Sequence, residues 1–156
     1  MIGLRIADIR DFTSRLFVKD TFDSFELAEA EFVTRYTTTL DGTLTEPQED
    51  HLHATWGQVR PVAYAVIRGK ELPHSFRLVL RLSDENVKKT LASLGLSISP
   101  EEVGALFLNI LYNHEQLTVV TGCSLKTFSL DKTLEKEWDR LARRFFAKNQ
   151  IPVEEV

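Results

Sequence analysis

Nine consecutive residues, Gly104 to Tyr112 (GALFLNILY), are apolar on both sides of a period-two pattern. A strand of this kind needs cover above and below, which places it in the middle of a sheet rather than at an edge. Asn113-His114-Glu115-Gln116 then makes a connecting turn. Leu117 to Phe128 pairs back as the second arm of a hairpin, with Gly122 marking a bulge.

The rest of the chain supplies elements to surround that hairpin. Ile2 to Ile6 reads as a strand, and Asp8 caps a helix to Val18 whose stripe is Ile9, Phe12 and Leu16. Phe25 and Leu27 suggest a short strand. Phe32, Thr34, Tyr36, Thr38 and Leu40 alternate as one extended run, and Asp41-Gly42 signals a tight turn at its end. Pro47 starts a helical turn to Leu52. Trp56, Val59, Ala63, Val66 and Ile67 form a second helical stripe, interrupted by Pro61 and stopped at Gly69. After Pro73, a strand sets Phe76, Leu78, Leu80 and Leu82 on one face and Arg77, Val79 and Arg81 on the other. Ser83 or Asp84 caps a third helix closed by Gly95, and Asp131 caps a last helix to about Lys148. That helix turns Leu134, Trp138, Leu141 and Phe145 inward and Lys132, Lys136, Arg140 and Arg143 outward. The order predicts a single α+β domain over residues 1–150, with a mainly antiparallel sheet of about five to six strands carrying three to four helices. Residues 151–156 are expected to fray.

A length of 156 residues, 43% apolar and 27% charged, suits one soluble domain. No uncharged run reaches the roughly 18 residues that span a bilayer, so no membrane span is expected. Met1 to Arg10 lacks the apolar core of a secretory signal. The single cysteine, Cys123, excludes an internal disulfide framework and fits the reducing cytosol, so a cytoplasmic protein is expected. The net charge of −4 conceals an asymmetry. Between Asp20 and Ala54 there are nine acids and one base, Arg35, whereas Arg60 to Arg81 holds five bases and one acid, Glu71. Such polarity steers a charged partner or orients self-association. A pI near 5.6 argues against a general nucleic-acid binder.

Chemistry-bearing motifs are sparse. There is no Gly-x-Gly-x-x-Gly, no Gly-Lys-Ser/Thr and no Gly-x-Ser-x-Gly, so neither a nucleotide cofactor nor a hydrolase elbow is expected. His51-Leu52-His53, after Glu49 and Asp50, comes nearest to a metal cluster. In a helical or looped context residues two apart diverge, so the segment reads as a solvated acidic stretch and no metal is assigned. Cys123 or Ser124 with His74 or His114 would need the fold to bring them together. Nothing in the spacing requires that, and no catalytic residue is assigned. Asn109 interrupts an apolar strand, where a buried amide must find partners or cost about 1–3 kcal/mol. It reads first as a satisfied structural amide and second as a group facing a pocket with Tyr112, Thr121 or Ser124 nearby. The leading reading is a non-catalytic module that binds a protein partner or self-associates. Its rival is an enzyme or sensor that holds a small anionic ligand with Arg81, Asn109, Ser124 and Lys126.

A family resemblance covers nearly the whole chain. It rests on Gly104 to Ile110, Thr121-Gly122-Cys123-Ser124-Leu125-Lys126, Leu130-Asp131-Lys132 and Trp138-Asp139, with Asp20 to Phe25 and Arg68-Gly69-Lys70 plus Pro73 as further landmarks. In these residues the chain resembles a family of uncharacterised proteins of anaerobic Gram-positive bacteria, many of them gut clostridia. The resemblance implies no activity, cofactor or catalytic residue. At Cys123 the family pattern leads one to expect a small hydroxylated residue, and the departure argues against a thiol mechanism.

Overall fold

In the computed structural model the elements run β1 (Gly3–Ile6), α1 (Ile9–Phe17), β2 (Glu26–Val33), β3 (Thr37–Asp41), β4 (Thr43–Gln48), β5 (His51–His53), α2 (Trp56–Ile67), β6 (Ser75–Arg81), α3 (Asp84–Leu94), β7 (Val103–Tyr112), β8 (Leu117–Leu125), α4 (Thr133–Lys148) and β9 (Val153–Glu155). The structure describes residues 1–48, 51–69 and 71–156. Glu49 and Asp50 of the acidic run, and Lys70 of the Arg68–Lys70 landmark, lie outside the described residues.

The local signals explain most boundaries. The Asp8 carboxylate accepts the Asp11 N–H at the start of α1, and the Ser83 hydroxyl accepts the Asn86 N–H at the start of α3. Gly95 closes α3 at φ 64°, a left-handed position that suits glycine. Thr55 and Gln58 form a reciprocal capping box that starts α2 five residues before Pro61, so the proline sits inside the helix. Asp131 acts one step earlier than a helix cap, its carboxylate taking the Thr133 N–H.

The main sheet is antiparallel, in the order β3-β2-β6-β7-β8-β1-β9. The doubly apolar strand β7 lies fourth of the seven, at the centre. Seven strands exceed the expected five to six, and the tail supplies the added one. The short strand expected at Phe25 and Leu27 runs on as β2 from Glu26 to Val33, and the 32–40 run is divided between β2 and β3, reversed through Thr34 to Tyr36, with Phe32 opposite Thr38. A reversal of that parity keeps every even-numbered side chain on the same face, so the alternation alone could not reveal it. The tail expected to fray instead carries β9 against β1. Ile151, 3% exposed, anchors the tail in the core, and Val153 pairs opposite Ile6.

Pro47, Gln48, His51 and Leu52 lie in extended, not helical, segments: β4 and β5 pair as a two-stranded ribbon. Proline disfavours helical backbone at the residue before it, which leaves Glu46 in the strand, and an edge strand tolerates Pro47. The ribbon is tied to the main sheet by backbone bonds from Ala54 N–H to the Gly42 carbonyl (2.8 Å) and from Leu27 N–H to the Ala54 carbonyl (2.9 Å).

Helices α1, α2 and α4 pack on one face of the sheet. Phe12, Leu16 and Phe17 of α1, Trp56 and Ala63 of α2, and Leu134, Trp138, Ala142 and Phe146 of α4 join Leu4, Phe32, Phe76, Leu78, Leu80, Leu108, Ile110 and Val119 in one core. Phe17 is the hub, with ring centroids 5.4 Å from Phe76, 5.9 Å from Trp56 and 6.2 Å from Phe32. Both indoles are satisfied, Trp56 Nε1 by the Leu16 carbonyl and Trp138 Nε1 by the Phe107 carbonyl. Leu141 and Phe145, expected inside, are half-buried, and Ala142 and Phe146 take the inner positions.

Candidate functional site

The second face of the sheet is read directly from the register. One row crosses it as Glu26, Arg81, Phe107 and Gly122, the next as Asp41, Glu29, Val79, Asn109 and Val120, and a third as Thr39, Glu31, Arg77, Leu111 and Thr118. A bulge in β2 between Leu27 and Glu29 adds local twist. The twisted face over β2, β3, β6 and β7 forms an open concavity of about 570 Å³. Glu29, Glu31, Asp41, Arg77, Phe107 and Asn109 are its chemistry-bearing walls.

Its electrostatics are acidic. Arg77 is its one cation among the described residues, and its Nη1 already donates to Glu29 Oε1 at 2.8 Å. Hydrogen bonds from Thr43, the backbone N–H at 2.8 Å, hold the Asp41 carboxyl below the usual carboxylate range, so it stays ionised. Asn109 lines this concavity, and its Nδ2 donates to the Val120 carbonyl at 3.1 Å across the hairpin. The amide is satisfied and still forms part of the wall.

The other three expected ligand residues are placed differently. Arg81 lies one row over, opposite Phe107, and its side chain is only 14% exposed. Its Nη2 donates to Asp84 Oδ1 at 3.1 Å, and its Nε, 3.8 Å from Glu26 Oε1, has no hydrogen-bond partner among the described residues. The Glu26 side chain is 5% exposed, and burial pushes its carboxyl up while Arg81 opposes the shift. Burial likewise pushes the His53 imidazole down, with Arg81 adding to the effect. The Arg81 charge is therefore engaged inside an ion cluster. Ser124 is exposed on the same face but pairs opposite Ala105, two rows from Asn109, and its hydroxyl occupies the space where a side chain on Gly104 would start. Lys126 lies past the end of β8, exposed, its backbone N–H bonded to the Glu102 carbonyl.

Register also separates the candidate nucleophiles from the candidate bases. Thr121 and Cys123 point to the helix-covered face, where the Thr121 hydroxyl donates to the buried Asp139 carboxylate. Burial, then Glu135 and Asp139, push the Cys123 thiol up, which opposes thiolate formation. His74 and His114 meet at the opposite end of the sheet, His74 Nδ1 to His114 Nε2 at 3.2 Å, with His114 at φ 79°. Six residues of β7 separate that end from Leu106, the partner of Cys123, a span of about 20 Å. His51 and His53 lie two apart on a strand and not on a helix. Among the described residues, no group of three or more His, Cys, Asp or Glu side chains is placed to hold a metal ion. The sequence pattern does not single out Glu29, Glu31, Asp41 or Phe107 as site residues, while Arg77 shares a strand face with Arg81 that reads as a polar sheet surface or an anion-binding wall. The alternation of Glu29 and Glu31 with Ala30 and Phe32 was the signal for the first two.

The sequence model of a family described as a family of unknown function, DUF5721, matches residues 15–154. No curated protein and no solved structure matches the chain. Among the described residues, no helix is long and apolar enough to cross a membrane.

Proposed function

The chain belongs to the DUF5721 family of unknown function, and we propose that it works as a non-catalytic binding module whose open sheet face receives a basic segment of a partner protein. The concavity carries this reading: Glu29, Glu31 and Asp41 converge beside Phe107 and Asn109, with a single guanidinium already committed to Glu29. Carboxylates so placed attract lysine or arginine, and a phenylalanine ring offers its face to the same cation. β3 is an outer strand of the sheet, so an extended segment can pair along its free edge while alternate side chains reach Thr39 and Asp41. The acidic wall opposes phosphate groups. It also opposes the small anion of the rival reading, whose proposed cations are engaged (Arg81) or distant (Lys126). Self-association through the α4 bases is less favoured, because Lys132, Arg140 and Arg143 bridge Glu135, Glu137 and Glu155. A raised Cys123 thiol pKa and the distant histidines favour binding over nucleophilic catalysis. This reading keeps the protein in the cytosol, where a single reduced thiol is stable.

The test is fluorescence polarisation with a short labelled peptide rich in lysine and arginine, beside its glutamate counterpart, at low and high salt. The basic peptide should bind, weaken with salt, and lose about tenfold or more in affinity to the Glu31→Gln, Asp41→Asn double variant. Binding of the acidic peptide instead, or a double variant with unchanged affinity, overturns the reading.

A further inference from the structure

On the helix-covered side of the sheet, away from the acidic concavity, α1, α2, Gly69 and Glu71 to Pro73 leave a groove of about 590 Å³. Its floor is Phe17, Phe76 and Tyr112, and its walls include Ile9, Ile67 and Leu72. At this side α2 ends at Ile67, and Arg68 leaves the helix with extended backbone. The Phe76 and Tyr112 rings stack with centroids 5.1 Å apart and close the bottom. Leu72 is 79% exposed beside this trough, an apolar side chain held at its lip.

The mouth is cationic. Arg10 and Arg68 both border it, and neither has an ion pair among the described residues. Glu71, the one acid at the mouth among the described residues, is bridged to Arg35 at 3.2 Å. An apolar trough of small-molecule size, with two guanidinium groups at its opening that are unpaired among the described residues, is complementary to a chain that is apolar along its length and anionic at one end. We propose that this groove binds a single-chain anionic amphiphile, a free medium-chain fatty acid or a similar acyl carboxylate. The chain lies on Phe17, Phe76 and Tyr112, and the carboxylate sits between Arg10 and Arg68. This site is independent of the peptide-binding reading of the opposite face, and either can fail alone.

Isothermal titration of the whole protein with dodecanoate below its micelle concentration tests the proposal. One saturable site is expected, with dodecyltrimethylammonium and butyrate binding at least about tenfold more weakly. The Arg10→Gln, Arg68→Gln double variant should lose about tenfold in dodecanoate affinity with an unchanged melting temperature, since both side chains are exposed. Leu72→Asp, at an equally exposed position, should lose affinity as well. The proposal is overturned if dodecanoate does not bind as a monomer, if the cationic amphiphile binds equally well, or if the arginine variant binds as the wild type does. Cosedimentation with anionic vesicles in the absence of dodecanoate binding overturns it in favour of a membrane surface.

Discussion

Glu26 sits at the edge of the second face, against the β4–β5 ribbon, with Arg81 as its nearest cation and Asp84 and His51 also in its field. Burial raises its pKa above 4.5, so the folded state holds that proton more tightly than the unfolded chain does. Its contribution to stability is therefore complete below pH 4.5 and is lost as pH rises through the raised value. His53 works in the opposite direction. Its pKa is lowered from 6.5, so its contribution is complete above pH 6.5 and is lost as pH falls through the lowered value. Between pH 4.5 and 6.5 the two partly cancel. Glu26→Gln removes one side of the balance, and the variant's stability should then rise more steeply with pH than the wild type's. Urea unfolding at several pH values across that window measures both slopes. Identical slopes would mean that the Glu26 carboxyl is no harder to ionise in the fold than in the open chain.

The β4–β5 ribbon depends on Gly42, which joins β3 to β4. A Cβ built there would lie 1.7 Å from the Leu27 carbonyl oxygen, while the Gly42 N–H donates to the Ala28 carbonyl at 3.0 Å. The residue is not in the left-handed region, so it is the close approach of two backbones that excludes a side chain. Gly42→Ala should cost about 3 kcal/mol or more in urea unfolding. Gly69→Ala, with open space around it, should change stability by less than about 1 kcal/mol. A tolerated Gly42→Ala would mean that the ribbon is not clamped to β2. In the sequence, Asp41-Gly42 looks like the tip of a hairpin, because turn chemistry and close packing both select glycine. Elements whose signals are local were legible: the Ser83 cap and Gly95 stop of α3, the Asp8 cap of α1, and the central place of β7. The β2–β3 reversal, the β9 pairing and the ribbon were not, since each depends on a partner far along the chain. Asn109 stood out because it breaks an apolar run. Asp41 and Phe107 joined it only through register, and no local pattern states which face of a sheet the helices will cover.

A sheet with helices on one side and solvent on the other ordinarily alternates apolar and polar residues along every strand. β2, β3 and β6 follow that pattern, with Ala30, Phe32, Leu40, Phe76 and Leu78 inward and Glu29, Glu31, Asp41 and Arg77 outward. β7 does not. Its inward residues are fully covered by the core, yet Phe107 remains half-buried and Leu111 is 40% exposed on the opposite face. These outward apolar groups exceed what the fold itself uses, and they border the acidic wall where a basic segment would lie. Glu29, Glu31 and Asp41 of the acidic 20–54 stretch thus border partly uncovered apolar surface on one side of the sheet, the combination on which the proposed interface rests. Adjacent residues of the same strand separate the two roles. Ile110, 0% exposed, should cost about 3 kcal/mol as Ile110→Ala, through lost burial and the cavity left behind. Leu111→Ala should cost less than about 1 kcal/mol, because solvent already reaches the side chain. Urea unfolding at two protein concentrations gives both values. Comparable losses at the two positions, growing with concentration, would show that a second copy of the chain covers this face in solution and that the partner receiving it is the protein itself.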